Sequence, residues 1–354
     1  MPRQGVSLIH TMNAKRILSG ISIRETQVRR WLKSQNFKGE YLLVSTKPES
    51  VYFKKLHELS PETKLMVDLY TPILLEKELT LSKWKLQDWL TRIKNKEMVR
   101  KFLRRGNHFL VANRRQREYW LKISKELGAN LTEGDVSVLP TGAGRATSNK
   151  QQATTFGERK VVLWFGGIYP WMDPLPLVEA FGDIAKKFPD WKLRFLGGFH
   201  PDTGYKNLYQ KVESAAKLKI TNSQLEFIPW QPEKDLVKYF KDVAFAVHLA
   251  KSTLEDYYAH RVRLLTLLDA GIPVITGGRD MVSDLIDEIK AGIKVNGSVG
   301  DLTSKLEMVM SDSKILTAWR LQTSMIWKLL RKRYIYIPAK WRKMPDDRIK
   351  DRRI

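Results

Sequence analysis

The stretch "STLEDYYAHRVRLLTLLDAGIPVI" (252–275) sets Glu255 ahead of His260, Arg261 and Arg263, on the approach to a helical run that ends in Ala-Gly-Ile-Pro. A pair of guanidiniums can clamp a diphosphate through planar, charge-assisted bonds. A carboxylate beside them can accept from sugar or ribose hydroxyls. The same residues have plainer uses: surface ion pairs for the arginines, and helix capping for Glu255. The choice depends on which other groups the fold gathers around them.

Hydrophobic periodicity supplies the elements. From Val161 onward, short apolar runs alternate with helical spacing: 161–165, 192–196, 225–228, 243–249, 273–276 and 292–295 read as strands. A helix follows each, and one of them, after 243–249, carries Arg261 and Arg263. Strands alternating with helices of this length imply βαβ crossovers and a parallel sheet. Burial on both faces explains why the runs are continuous rather than alternating. The first half repeats the rhythm less cleanly, with strands at 6–9, 41–44, 64–67, 108–111 and 136–139 and a long helical pattern from about Leu74 to Arg105. Between the halves lies a polar stretch rich in Gly, Ser and Thr, a linker. The organisation is therefore a first domain over 1–145, a linker over 146–160, a second domain over 161–312, and a helix with a basic tail over 313–354.

Open parallel sheets bind ligands outside the carboxyl ends of their strands. Gly166-Gly167 follow the first strand of the second half, where backbone amides can approach an anion; a plain tight turn would use them equally well. His200 follows the second, and Trp230, which could cover a base or simply pack, follows the third. Together with Glu255 and the two arginines, these groups suit a nucleotide sugar: cations for the diphosphate, a carboxylate for hydroxyls, an aromatic for the base.

Composition narrows the class. The 354 residues carry a formal net charge of +24, which attracts nucleic acid, anionic membrane or phosphorylated substrates. There are no cysteines, so disulfides and thiolate chemistry are excluded. No apolar run reaches membrane-spanning length, and the first residues lack a signal-peptide core. A cytoplasmic location follows, peripheral on the inner face of a membrane if the tail binds lipid. The six histidines show no metal spacing, and no phosphate-binding loop, dinucleotide fingerprint or serine-nucleophile elbow occurs. No cofactor or metal is expected, and protein cations would do the work of an ion.

Five segments resemble one known family. "VVLWFGGIYPWMDPLPLVEAF", "FLGGFHPDT" and Ser252–Glu255 with "HRVRLLTLLDAGIPVI", and in the first half "MVDLYTPILLEKEL" and "FLVANRRQREYWL", are similar to the nucleotide-sugar glycosyltransferases of family 4, or group 1. The resemblance covers roughly residues 40–335. It implies a GT-B fold, two Rossmann-like domains with parallel sheets facing across a cleft, and transfer of a sugar with retained anomeric configuration. It further implies Glu255 at the donor sugar, Thr266 where relatives carry a second acid near the ribose, and an acceptor near Asp68 and Asn113. Thr71 stands where relatives have an acid, and the first domain is short. These departures keep open a non-catalytic relative that binds a polyanion or a partner protein. Charge alone supports a nucleic-acid-binding protein. The tail adds a surface reading: Ile315, Trp319, Ile326 and Leu330 share one helical stripe, followed by a basic cluster suited to an anionic membrane or a lipid-linked acceptor. A membrane or a protein partner could complete the short domain's acceptor wall.

Overall fold

The computed structural model describes residues 41–45, 64–70, 72–140, 159–198 and 205–329. Those within Met1–Leu74 and Leu81–Pro140 form one compact unit, and those within Leu75–Thr80 and Thr141–Tyr334 another. The expected strand at 6–9, Thr71, His200, the linker up to residue 158 and the basic tail beyond 329 lie outside the described residues.

The first unit runs β1 (Tyr41–Ser45), β2 (Lys64–Asp68), into α1 (Ile73–Thr80), then α2 (Leu86–Arg105), β3 (His108–Val111), α3 (Arg114–Glu126) and β4 (Val136–Val138). Its four strands pair in sequence order, all parallel. The long helical pattern from Leu74 to Arg105 is not one helix. Side chains take over the backbone groups that would continue it: Ser82 N donates to Asp88 Oδ2 at 2.8 Å, and Arg92 donates to the carbonyls of Leu81 and Ser82 at 2.7 and 3.1 Å. The chain therefore breaks between α1 and α2. Such local bonds compete with the helix ladder.

The second unit runs β5 (Val161–Phe165), α4 (Leu175–Ile184), β6 (Lys192–Leu196), α5 (Lys206–Lys219), β7 (Leu225–Ile228), α6 (Leu236–Phe240), β8 (Val243–His248), α7 (Leu254–Tyr258), α8 (Val262–Asp269), β9 (Val274–Thr276), α9 (Met281–Glu288), β10 (Gly292–Lys294), α10 (Val299–Ser311), α11 (Ser313–Thr323) and α12 (Met325–Leu329). Its strands form a parallel sheet in the order β10-β9-β8-β5-β6-β7. β5 shows why the apolar runs are continuous. Val162 and Trp164 enter one core with α4, α5 and α10, while Val161 and Leu163 enter the opposite core with α8 and α9. The order reverses at β5: the chain builds outward through β6 and β7, then returns to lay β8 on the other side of β5. The crevice beyond the carboxyl ends of β5 and β8 is thus the sheet's switch point.

The helix expected to carry both arginines is likewise two. α7 ends at Tyr258, and Ala259, His260 and Arg261 separate it from α8. Of the two readings open to the apolar stripe, packing and membrane contact, its described residues take the first. Leu316 is buried and Ile315 and Trp319 pack against the first core, while Ile326 is buried in the second. Leu316→Ala should therefore cost about 2–5 kcal/mol, seen as a lowered denaturation midpoint. An unchanged midpoint would mean that α11 is not docked on this unit.

Candidate functional site

Beyond β5 the chain turns at Gly166, whose φ of 91° lies in the left-handed region that suits glycine. A Cβ there would come within 3.2 Å of Arg263 Cζ. The next turn, after β6, is seated against it: a Cβ on Gly197, φ 111°, would lie 3.0 Å from Gly166 Cα. Both turns extend their ladders, with Gly166 N donating to Leu196 O at 2.8 Å and Gly197 N to Ile228 O at 3.0 Å.

Arg263 reaches into this turn from the first turn of α8. Its Nη1 donates to the carbonyls of Phe165 and Gly167 at 3.2 and 3.1 Å, and its guanidinium lies 5.7 Å from the Tyr169 ring. The side chain is half-buried and fixes the turn. Tyr169 stacks on Trp171, with centroids 5.1 Å apart and 6° between planes, and meets Tyr205 edge-on at 6.0 Å. These aromatics stand beside Gly166 and Arg263, whereas Trp230, 47% exposed, follows the edge strand β7.

Arg261 turns the other way, into a buried ion pair. Its Nη1 and Nη2 donate to the two carboxylate oxygens of Glu255 at 3.0 and 2.8 Å, and Nη2 also reaches Asp256 Oδ1 at 3.1 Å. All three residues are buried. The Glu255 and Asp256 carboxylates hold the Arg261 pKa above its ordinary value against the pull of burial, so the guanidinium stays charged. Asp256 Oδ2 accepts from Arg279 N at 2.8 Å, which ties α7 to the loop after β9. In that loop Asp280 caps α9, accepting from Val282 N and Ser283 N, and burial pushes its pKa up to about 6. His248, at the end of β8, is buried against Trp164, and burial with Arg261 and Arg263 nearby holds its pKa well below the usual range, so the ring is neutral.

The sequence-predicted residues thus divide. Arg263 meets the Gly166-Gly167 turn, and Arg261 meets Glu255. The Thr266 hydroxyl donates to Val262 O at 3.2 Å, back onto its own helix. Asn113 is the N-cap of α3, its side chain accepting from Gln116 N at 2.8 Å, and Asp68 ends β2.

Sequence reading missed Asp256, Asp280, His248 and the Tyr169–Trp171–Tyr205 group. The glycine pair Gly277-Gly278 after β9, matching the pairs after β5 and β6, was a usable signal for the Asp280 loop. It also missed Glu76. Residues Leu75–Thr80 belong to the second unit although they precede it in sequence. Burial and the Glu255 carboxylate push the Glu76 pKa up to about 7, while Arg261 pulls it down.

The native chain therefore holds a proton on Glu76 that the unfolded chain gives up near pH 4.5. Stability falls as pH rises between these two pKa values and levels off above the native one. Glu76→Gln should remove that slope. The variant should melt with wild type at about pH 5 and above it at about pH 8. Parallel melting curves across the range would show Glu76 fully solvated.

The family described as Glycosyl transferases group 1 matches residues 146–323. No curated protein sequence matches the chain. Among solved structures, HepE of Anabaena in complex with UDP and glucose superposes with a TM-score of 0.60 at 12% identity, covering 88% of this chain and 79% of that one. The α,α-trehalose 6-phosphate synthase of Burkholderia multivorans gives 0.62 at 12% identity, covering 90% and 74%. WaaG, a glycosyltransferase involved in lipopolysaccharide biosynthesis, gives 0.58 at 15%, covering 78% and 76%. The two parallel-sheet units are of the Rossmann-like kind found in these GT-B enzymes.

Proposed function

Because the chain belongs to the group 1 glycosyl transferases, we propose that it transfers a sugar from a nucleoside-diphosphate donor bound at the β5–β8 switch point of its second unit. The observation that carries this reading is the convergence of Arg263 on the Gly166 turn. A diphosphate leaving group gains negative charge as its bond to the sugar C1 breaks. A cation fixed beforehand beside the phosphates stabilises that charge without reorganising. Arg263 supplies it, held by two carbonyls, and the glycine turn lets backbone amides come close. Arg261 acts behind the site: its two N–H donors fix the Glu255 carboxylate for a donor hydroxyl. The half-buried Tyr169 and Trp171 offer a face to the base or sugar. HepE was crystallised with UDP-glucose as well as with UDP and glucose, which makes uridine-diphosphate sugars the first donors to try here.

The acceptor hydroxyl attacks C1 from the face that the diphosphate leaves, its proton passing to the departing diphosphate oxygen, so the configuration is retained. Acceptor contacts are assigned to the first unit, near Asp68 and Asn113, and Trp230 and His200 to the donor's edges. No resident metal takes part in this scheme. The enzyme works in the cytoplasm, and a lipid-linked or protein-bound acceptor would complete the site. No helix of the described residues is long and apolar enough to cross a membrane.

One observation favours a second reading, a chain that binds the donor without turning it over. Both Glu255 oxygens already accept from Arg261, and the Thr266 hydroxyl is spent on its own helix. Donor turnover separates the two. The transfer reading expects slow release of free sugar from the matching nucleotide sugar, with water in place of the acceptor, unaffected by EDTA. Arg263→Ala should reduce turnover by about ten- to a hundred-fold, the cost of one charged hydrogen bond. Binding of a nucleotide sugar with neither hydrolysis nor transfer, with or without vesicles, would leave the binding reading.

A further inference from the structure

Helix α2 carries two apolar stripes on opposite sides. Met98, Val99, Phe102 and Leu103 are buried in the core of the first unit. Leu86, Trp89, Leu90 and Ile93 recur at helical spacing along the first half of the helix, and all four are exposed, Leu86 by 70%. Trp84, just before the helix, is 94% exposed. At 3.6 residues per turn the outward stripe points about 160° away from the buried one. It is therefore not a frayed continuation of the core face, and docking one stripe leaves the other in water.

The surroundings of the stripe are cationic. Lys83, Lys85, Lys94 and Lys96 flank it, all exposed, and Lys101 and Arg104 continue the outward side about two to three turns beyond Ile93. The acids nearby are spoken for: Asp88 accepts from Ser82 N, and Glu97 lies 3.7 and 3.8 Å from Arg100 and Lys101. Exposed tryptophans and aliphatics framed by lysines match one kind of surface, in which phosphates lie directly above hydrocarbon. A nucleic acid would satisfy the lysines but offers little to Leu86, Leu90 and Ile93. The net charge of +24 draws the whole chain toward an anionic surface.

We propose that Trp84 and the outward face of α2 form a docking surface for an anionic phospholipid bilayer. The helix lies in the plane of the interface, its Trp and Leu side chains at the boundary between headgroups and acyl chains and its lysines on lipid phosphates. This surface does not depend on the sugar-transfer reading.

Co-sedimentation of the full chain with vesicles tests it. Wild type should bind mixed phosphatidylcholine–phosphatidylglycerol vesicles, bind phosphatidylcholine alone weakly, and be released by salt. The double variant Trp84→Gln, Trp89→Gln should lose about tenfold or more of its partitioning, because the tryptophans contribute apolar burial that general charge does not. Both residues are exposed, so its melting temperature should match wild type, and its donor hydrolysis without vesicles should be unchanged. Failure of this surface is thus read separately from failure of the transfer reading. Wild-type partitioning by the double variant would overturn the proposal and assign any lipid binding to general charge. Loss of an oligomer in place of loss of lipid binding would overturn it in favour of a second copy of the chain.

Discussion

One buried guanidinium organises the carboxyl end of the larger sheet. Arg261 sits among Glu255 and Asp256, which it touches, and Asp280 and Glu76, which feel its field. Removing one partner from a buried pair leaves an uncompensated charge, at a cost of about 3–5 kcal/mol. The position of Arg261 is therefore not negotiable, and the local chain conforms to it. α7 stops and α8 starts on either side of the arginine, because one continuous helix would not bring its fork onto both oxygens of Glu255. Through Asp256 the same network fixes the loop after β9, so the ends of β8 and β9 are held as one piece.

The charge balance of that network has consequences nearby. The carboxylates outnumber the guanidinium they surround, and burial penalises every uncompensated charge. Glu76 answers by keeping a proton up to about pH 7. His248 lies on the cationic side, near Arg261 and Arg263, and stays neutral. Arg263 places its guanidinium beside the Gly166 turn, donating to the carbonyls of Phe165 and Gly167. The site is thus arranged in depth: a carboxylate-rich layer around Arg261, then a cation beside the glycine turn where an anionic leaving group would sit.

Legibility in the sequence followed the range of the forces involved. The strands of the second unit were readable because burial on both faces leaves unbroken apolar runs such as "VVLWF" and "VAFAVH", and the glycine pairs marked their ends. The helix breaks were not. They depend on Arg92 and Asp88 at one place and on the Arg261–Glu255 pair at the other, side-chain bonds that periodicity does not register. Glu76 was invisible because its partners are distant in sequence. Asn113, read as an acceptor-side residue, also caps α3, a local role that spacing does not separate from a binding one. An apolar stripe does not say which way it faces: the one through Ile315, Trp319 and Ile326 is core, whereas α2 superposes two stripes, one buried and one exposed.

On the proposed reading, the crevice beyond β5 and β8 binds a nucleoside diphosphate through fixed protein groups. Thermal denaturation with a panel of nucleoside diphosphates and the matching monophosphates tests it most directly. A ligand at a hundred times its dissociation constant adds about 2.7 kcal/mol of stability. The account predicts that at least one nucleoside diphosphate raises the midpoint, that its monophosphate does so less, and that removing divalent ions leaves the difference intact. A midpoint unmoved by every diphosphate, or moved equally by inorganic diphosphate alone, would contradict it.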